Sequence, residues 1–234
     1  MLQELLKIFR GDDPLRAIAD NFSRMLELAR DNILLAGEIY FERKPGPAER
    51  SQVYRQDIEI NKLQRAIRKQ VATRLSVTSY KHDLPYCLVM MSLVKDVERL
   101  GDYAKNLVDI VDIHPDPFAE DELFAELREI RIEVEGVLRA AHEVLVNVDR
   151  EKAMEHIRSG KDLARRCDAM LAKIAQSDAS ARTATALALG ARYYKRVGGH
   201  LLNVISSVVM PLHKLDYFDE DEIREYQLDT AADQ

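Results

Sequence analysis

Glu98, Asp102 and Asn106 recur at every fourth position in Glu98-Arg-Leu-Gly-Asp-Tyr-Ala-Lys-Asn106, and they are the residues of this chain best spaced for chemistry. On a helix of about 3.6 residues per turn, residues four apart share a face one turn apart. Stacked carboxylates repel one another. The stripe is therefore either a solvated face, with Arg99 and Lys105 close by, or a face neutralised by a bound cation. Gly101 points to packing, because an interior helical Gly costs about 1 kcal/mol relative to Ala and stands where another element or a ligand comes close. A stripe turned toward a neighbouring helix needs a cation. A second donor set lies upstream in Asp57-Ile-Glu-Ile-Asn61, where Asp57 and Asn61 share a face and Glu59 points away as a surface charge. Oxygen donors from facing helices suit hard or borderline cations, divalent or trivalent, such as Mg, Mn, Fe or Zn. The candidate metal ligands are Glu98, Asp102, Asp57, Asn61 and Asn106.

Catalytic constellations are missing. The chain has no Gly-rich phosphate loop, nucleophile elbow or His-Glu-x-x-His motif. A di-iron carboxylate bundle needs Glu-x-x-His pairs, and none of the six histidines has an acid three residues before it. His142, His156 and His213 read as surface or interface residues. Three classes stay open: a metal-using interaction protein, a metal-storage or redox bundle, and a scaffold without metal.

The motif has a partner. Lys195-Arg-Val-Gly-Gly-His-Leu-Leu-Asn203 repeats Arg99, Gly101 and Asn106 as Arg196, Gly198 and Asn203, at an offset of 97 residues each time (196 − 99, 198 − 101, 203 − 106). A period of this length marks a duplicated bundle and not a solenoid unit. Lys195 stands where Glu98 stood, Gly199 where Asp102 stood, and His200 where Tyr103 stood. A lysine in the ligand position disfavours a second metal site.

The elements that must carry these residues are long helices. Asp13-Pro14 reads as a cap followed by Phe22, Met25, Leu26, Ala29, Ile33 and Ala36 at helical spacing, ending before Lys44-Pro-Gly-Pro47. A second helix runs over 48–75, with Ile58, Leu63, Ile67, Val71 and Leu75 as its apolar face. A third opens at Asp83 and Pro85, carries the motif and stops near His114-Pro-Asp-Pro117. The second half repeats the plan over 118–146, 149–174 and 180–209. Short polar turns between long helices impose antiparallel packing. The expected fold is all-α, a tandem repeat of two antiparallel three-helix bundles over 13–114 and 118–215. A short amphipathic segment (1–12) precedes them and an acidic tail (216–234) follows.

A formal net charge of −6 argues against a general nucleic-acid binder. Cys87 and Cys167 lack metal-ligand spacing, which fits a reducing cytoplasm. No apolar run is long enough for a membrane span. The N-terminal Leu2, Leu5, Leu6, Ile8 and Phe9 are read as packing against the bundle.

With these residues in view, Asp96-Val-Glu98-Arg-Leu-Gly-Asp102-Tyr-Ala-Lys-Asn106 resembles the PhoU family of phosphate-signalling proteins, whose third helix carries Glu-Arg-Ile-Gly-Asp followed by Asn. Asp57-Ile-Glu-Ile-Asn61-Lys-Leu is similar to the family's second-helix motif, and the tandem repeat matches over about 14–215. The resemblance implies a cytoplasmic, non-enzymatic regulator that binds metal through Glu/Asp-x-x-x-Asp. It also implies that the protein couples a phosphate ABC transporter ATPase to a sensor histidine kinase. Membrane association would then be peripheral and run through partners, and a homodimer is compatible with the reading. Glu98 and Asp102 carry the metal role over, with Asp57 and Asn61 beside them. The altered second motif also leaves open an adaptor for a different transporter.

Overall fold

The computed structural model describes residues 15–42, 46–76 and 82–215. Six helices account for nearly all of them: α1 (Arg16–Glu42), α2 (Pro47–Leu75), α3 (Leu84–Ile113), α4 (Glu122–Asn147), α5 (Arg150–Ala175) and α6 (Ala181–Ser206). Among the described residues there is no strand, and no helix is long and apolar enough to cross a membrane. The N-terminal segment, the Asp13-Pro14 cap, residues 43–45 and the tail from Asp216 lie outside the described residues.

Local chemistry sets the helix starts. A free backbone N–H in the first turn needs an acceptor, and short oxygen-bearing side chains supply it. Asp121, Asp149 and Ser180 accept from the N–H groups of Phe124, Lys152 and Thr183 at 2.9, 3.0 and 3.1 Å. The fourth helix therefore opens at Glu122 and not at Phe118. Phe118 stays in the linker as a core wedge, with ring centroids 4.8 Å from His114 and 5.5 Å from Tyr40. At the other end of α4, Val148 takes a left-handed conformation (φ 51°), which costs energy for a β-branched residue and makes the tight turn into α5.

Helices α1, α2 and α3 pack on one another, as do α4, α5 and α6. The two groups join mainly along α3 against α6, with α1 against α4, and a single apolar core runs through both. On α1 the buried face is the one its spacing predicts, including Phe22, Met25, Leu26, Ala29, Ile33 and Ala36. On α2 the face differs from the expectation. Val53, Ile60, Ile67 and Val71 are buried, whereas Ile58 is 52% exposed. The buried positions follow a seven-residue pattern, 53-57-60-64-67-71, in which Asp57 and Gln64 take two core-facing places. Counting apolar residues alone misses a stripe with two polar members.

Candidate functional site

Helices α2 and α3 run antiparallel, and polar pairs along their length fix their register. Arg50 grips Asp112 with both guanidinium nitrogens at 2.8 Å near one end, and Arg74 holds the buried Asp83 at 2.6 Å at the other. Between them the two predicted donor sets meet. Asp57, only 5% exposed, reaches across from α2 to α3. Its Oδ2 accepts from Lys105 Nζ at 2.8 Å and from Asn61 Nδ2 at 3.2 Å. Lys105 also reaches Asp102 Oδ1 at 3.0 Å, so one ammonium bridges two carboxylates from different helices.

Gly101 makes this meeting sterically possible. A Cβ at that position would stand 3.0 Å from Asp57 Oδ1 and 3.1 Å from Ile60 Cδ1, closer than side chains normally pack. The approach explains why a residue of poor helix propensity is tolerated in mid-helix. It is α2 side chains, and not its backbone, that need the room.

Arg99 completes the cluster on the outer side, 3.0 Å from Asp102 and 3.9 Å from Glu98. Glu98 is less well served. Burial, followed by the charge of Asp102, raises its pKa above the ordinary carboxylate range despite Arg99. For Lys105, burial works against the charge, but the hydrogen bonds to Asp57 and Asp102 more than offset it, and its pKa is raised. Asn106 is half-buried on α3, one turn beyond Asp102. Glu59 lies on the exposed side of α2 and pairs with Lys62 at 2.7 Å, as its angle on the helix predicts.

The donor chemistry fits a hard cation. Asp57 and Asp102 meet through Lys105, with Asn61 on Asp57 and Glu98 beside Arg99, and Asp57 Oδ1 is a buried oxygen without a hydrogen-bond partner, lying against Gly101. As placed, no three of His, Cys, Asp and Glu converge as a metal cage among the described residues. The cation between α2 and α3 is Lys105.

A second polar cluster was not legible in the sequence. Asp96 on α3 is buried at the seam between the two halves, where its Oδ1 accepts from Asn203 Nδ2 at 3.0 Å and lies 2.8 Å from His200 Nδ1. His200 also stacks on Tyr103, its own repeat counterpart, with centroids 5.7 Å apart. The available signal was Asp96 sitting within the run of α3 positions that face the core. In the second repeat Lys195 is bound by Asp168 at 2.5 and 2.6 Å, and Gly199 has open space beside it.

The family model described as the PhoU domain matches residues 22–111, which span most of α1 and all of α2, together with α3 as far as the carboxylate cluster and beyond. This stretch is similar to the PhoU domain. The fold agrees over a greater length. It is similar to the crystal structure of PhoU from Pseudomonas aeruginosa, with a TM-score of 0.75 at 18% identity, covering 84% of this chain and 95% of that one. It is likewise similar to the phosphate transport system regulatory protein PhoU from Streptococcus pneumoniae, with a TM-score of 0.74 at 17% identity, covering 88% and 97%. No curated protein matches it in sequence. The matched stretch holds both donor sets and ends before the second repeat, where Lys195 and Gly199 replace the acids.

Proposed function

We propose that this PhoU-domain protein regulates phosphate transport by binding other proteins and not by turnover. Its partners on this reading are a phosphate ABC transporter ATPase and a sensor histidine kinase on the cytoplasmic side of the membrane. The observation that carries the proposal is the coincidence of the PhoU domain with the Asp57–Glu98–Asp102 cluster on one face of α2 and α3. Long helices with charged outer faces suit docking against partner helices. The relatives' fold supports the same reading, one of them being described as a phosphate transport system regulatory protein.

On this reading the cluster takes a divalent or trivalent cation when Lys105 swings outward. Asp57, Glu98 and Asp102 would hold it, with Asn61 and Asn106 alongside, and the bound charge would tie α2 to α3. Metal content of protein purified without chelator, compared with that of the Glu98→Ala/Asp102→Ala double variant, tests the metal. Equal content in both removes it. A deletion strain tests the pathway: phosphate uptake or phosphate-starvation gene expression should change and be restored by the wild-type chain. If neither changes across phosphate concentrations, the phosphate assignment fails and an adaptor for another solute's transporter takes its place.

A further inference from the structure

The second repeat opens a cleft where the first holds its acids. The repeat glycines give the correspondence: Gly101 lies against Asp57 and Ile60 of α2, and Gly198 lies against Leu163 of α5. If Leu163 plays the part of Ile60, the residue three places earlier, Gly160, takes the place of Asp57. The positions of Asp57, Glu98 and Asp102 are then filled by Gly160, Lys195 and Gly199. Leu202 packs over Gly160, Gly199 has open space beside it, and no acid stands at any of the three positions; a groove of about 370 Å³ lies between α5 and α6.

Its rim is cationic. Arg192, Lys195 and Arg196 line it from α6 and Lys161 from α5. Asp168 already neutralises Lys195. Arg192, Arg196 and Lys161 have no ion-pair partner among the described residues. Arg192 and Arg196 are also one turn apart on α6, where like charges destabilise each other. His200 and Asn203, at the inner end, are fixed by the buried Asp96.

From this geometry we infer that the α5–α6 cleft binds a small polyvalent phosphoanion. Three uncompensated cations around a concave surface concentrate positive potential there. Forked guanidinium groups match phosphate oxygens two at a time, which a carboxylate of single charge would leave underused. The volume lies within the range of small-molecule pockets, about 300–1,000 Å³, and exceeds the needs of a single inorganic ion, so pyrophosphate is the apt probe. This site is in the other repeat from the carboxylate cluster, and the two stand or fall separately.

Calorimetric titration of the full chain with pyrophosphate at fixed ionic strength tests the assignment, with inorganic phosphate and phosphatidic-acid vesicles as parallel arms. Saturable binding should weaken at least tenfold in Arg196→Ala and in Arg192→Ala, both exposed positions that leave the core intact. Arg196→Lys should fall between, and Arg65→Ala, which removes the same charge from α2, should bind as wild type. Circular dichroism melts check that each variant is folded. Arg196-dependent binding to vesicles alone would assign the same site to a lipid headgroup. No saturable binding in any arm, or binding insensitive to both arginine substitutions, overturns the inference.

Discussion

Replacing Lys105 by Met removes the ammonium that bridges Asp57 Oδ2 at 2.8 Å and Asp102 Oδ1 at 3.0 Å, while keeping an unbranched stem of similar length. The Asp57 side chain is 8% exposed, so it is left as a buried carboxylate with only the Asn61 amide to satisfy it. Breaking a fully buried pair costs about 3–5 kcal/mol. Here the Lys105 side chain is 24% exposed and that of Asp102 30%, and water recovers part of the loss. About 2 kcal/mol remains, which for a chain of this size lowers Tm by roughly 4–8 °C. The assay is thermal unfolding followed by circular dichroism in chelator at pH 7.5. Adding Asp57→Asn to the Lys105→Met variant should recover much of the loss, since the uncompensated charge is then gone. The pKa of Lys105 is raised by folding, so the pair's contribution is fully present below the ordinary lysine pKa and fades as pH rises through the raised value. The gap between wild type and variant should therefore hold from neutral pH up to the ordinary lysine pKa and narrow only above it. If Lys105 competes with a metal, Mn or Zn should raise the variant's Tm more than the wild type's. A Tm change under about 1 °C in chelator would refute the bridging role. Equal metal responses would refute the competition.

For Glu98 it is the charged form that folding penalises. Folding raises its pKa, so the native state gains stability as pH falls through that raised value, and the ionised group is a burden above it. Glu98→Gln should be neutral to stabilising by about 0.5 kcal/mol at pH 7, with the advantage shrinking in acid, as read from urea midpoints across pH. Gly136 has nothing within 4 Å of a would-be Cβ, so Gly136→Ala should stabilise α4 by about 1 kcal/mol. Gly101→Ala should lose that gain and more to the Asp57 and Ile60 contacts, a contrast that chemical denaturation measures. Asp96→Ala strips His200 and Asn203 of their shared acceptor at the α3–α6 seam. It should cost about 2–3 kcal/mol, visible as a lower urea midpoint and faster amide exchange along α6.

The α2 helix shows how far sequence reading reached at the candidate site. Its existence and length followed from capping and breaker residues, which act locally. Its buried face did not, because Asp57 and Gln64 occupy core-facing positions and Ile58 turns outward. The polarity of Asp57 suggested chemistry. That its partner would be Lys105, 48 positions along the chain, depended on the antiparallel register of α2 and α3. Glu59 and Gly101 were both legible, the one by its angle on the helix and the other by its energetic cost in mid-helix.

By itself the sequence determined the helices, the duplication and the divergence of the second motif, because caps, prolines, periodicity and a fixed offset are properties of neighbouring or matching positions. It also carried the likeness to the PhoU domain over residues 22–111, within which Glu98-Arg-Leu-Gly-Asp102 and Asp57-Ile-Glu-Ile-Asn61 both lie. Only the tertiary structure decided which charges meet. Asp96 joins His200 across 104 positions, and Lys105 stands between Asp57 and Asp102. The basic residues of the second repeat line one cleft only when α5 and α6 are set side by side. Spacing along one helix fixes a face. The distance between charges on different helices is set by how those faces pack, and at these sites that distance decides the chemistry.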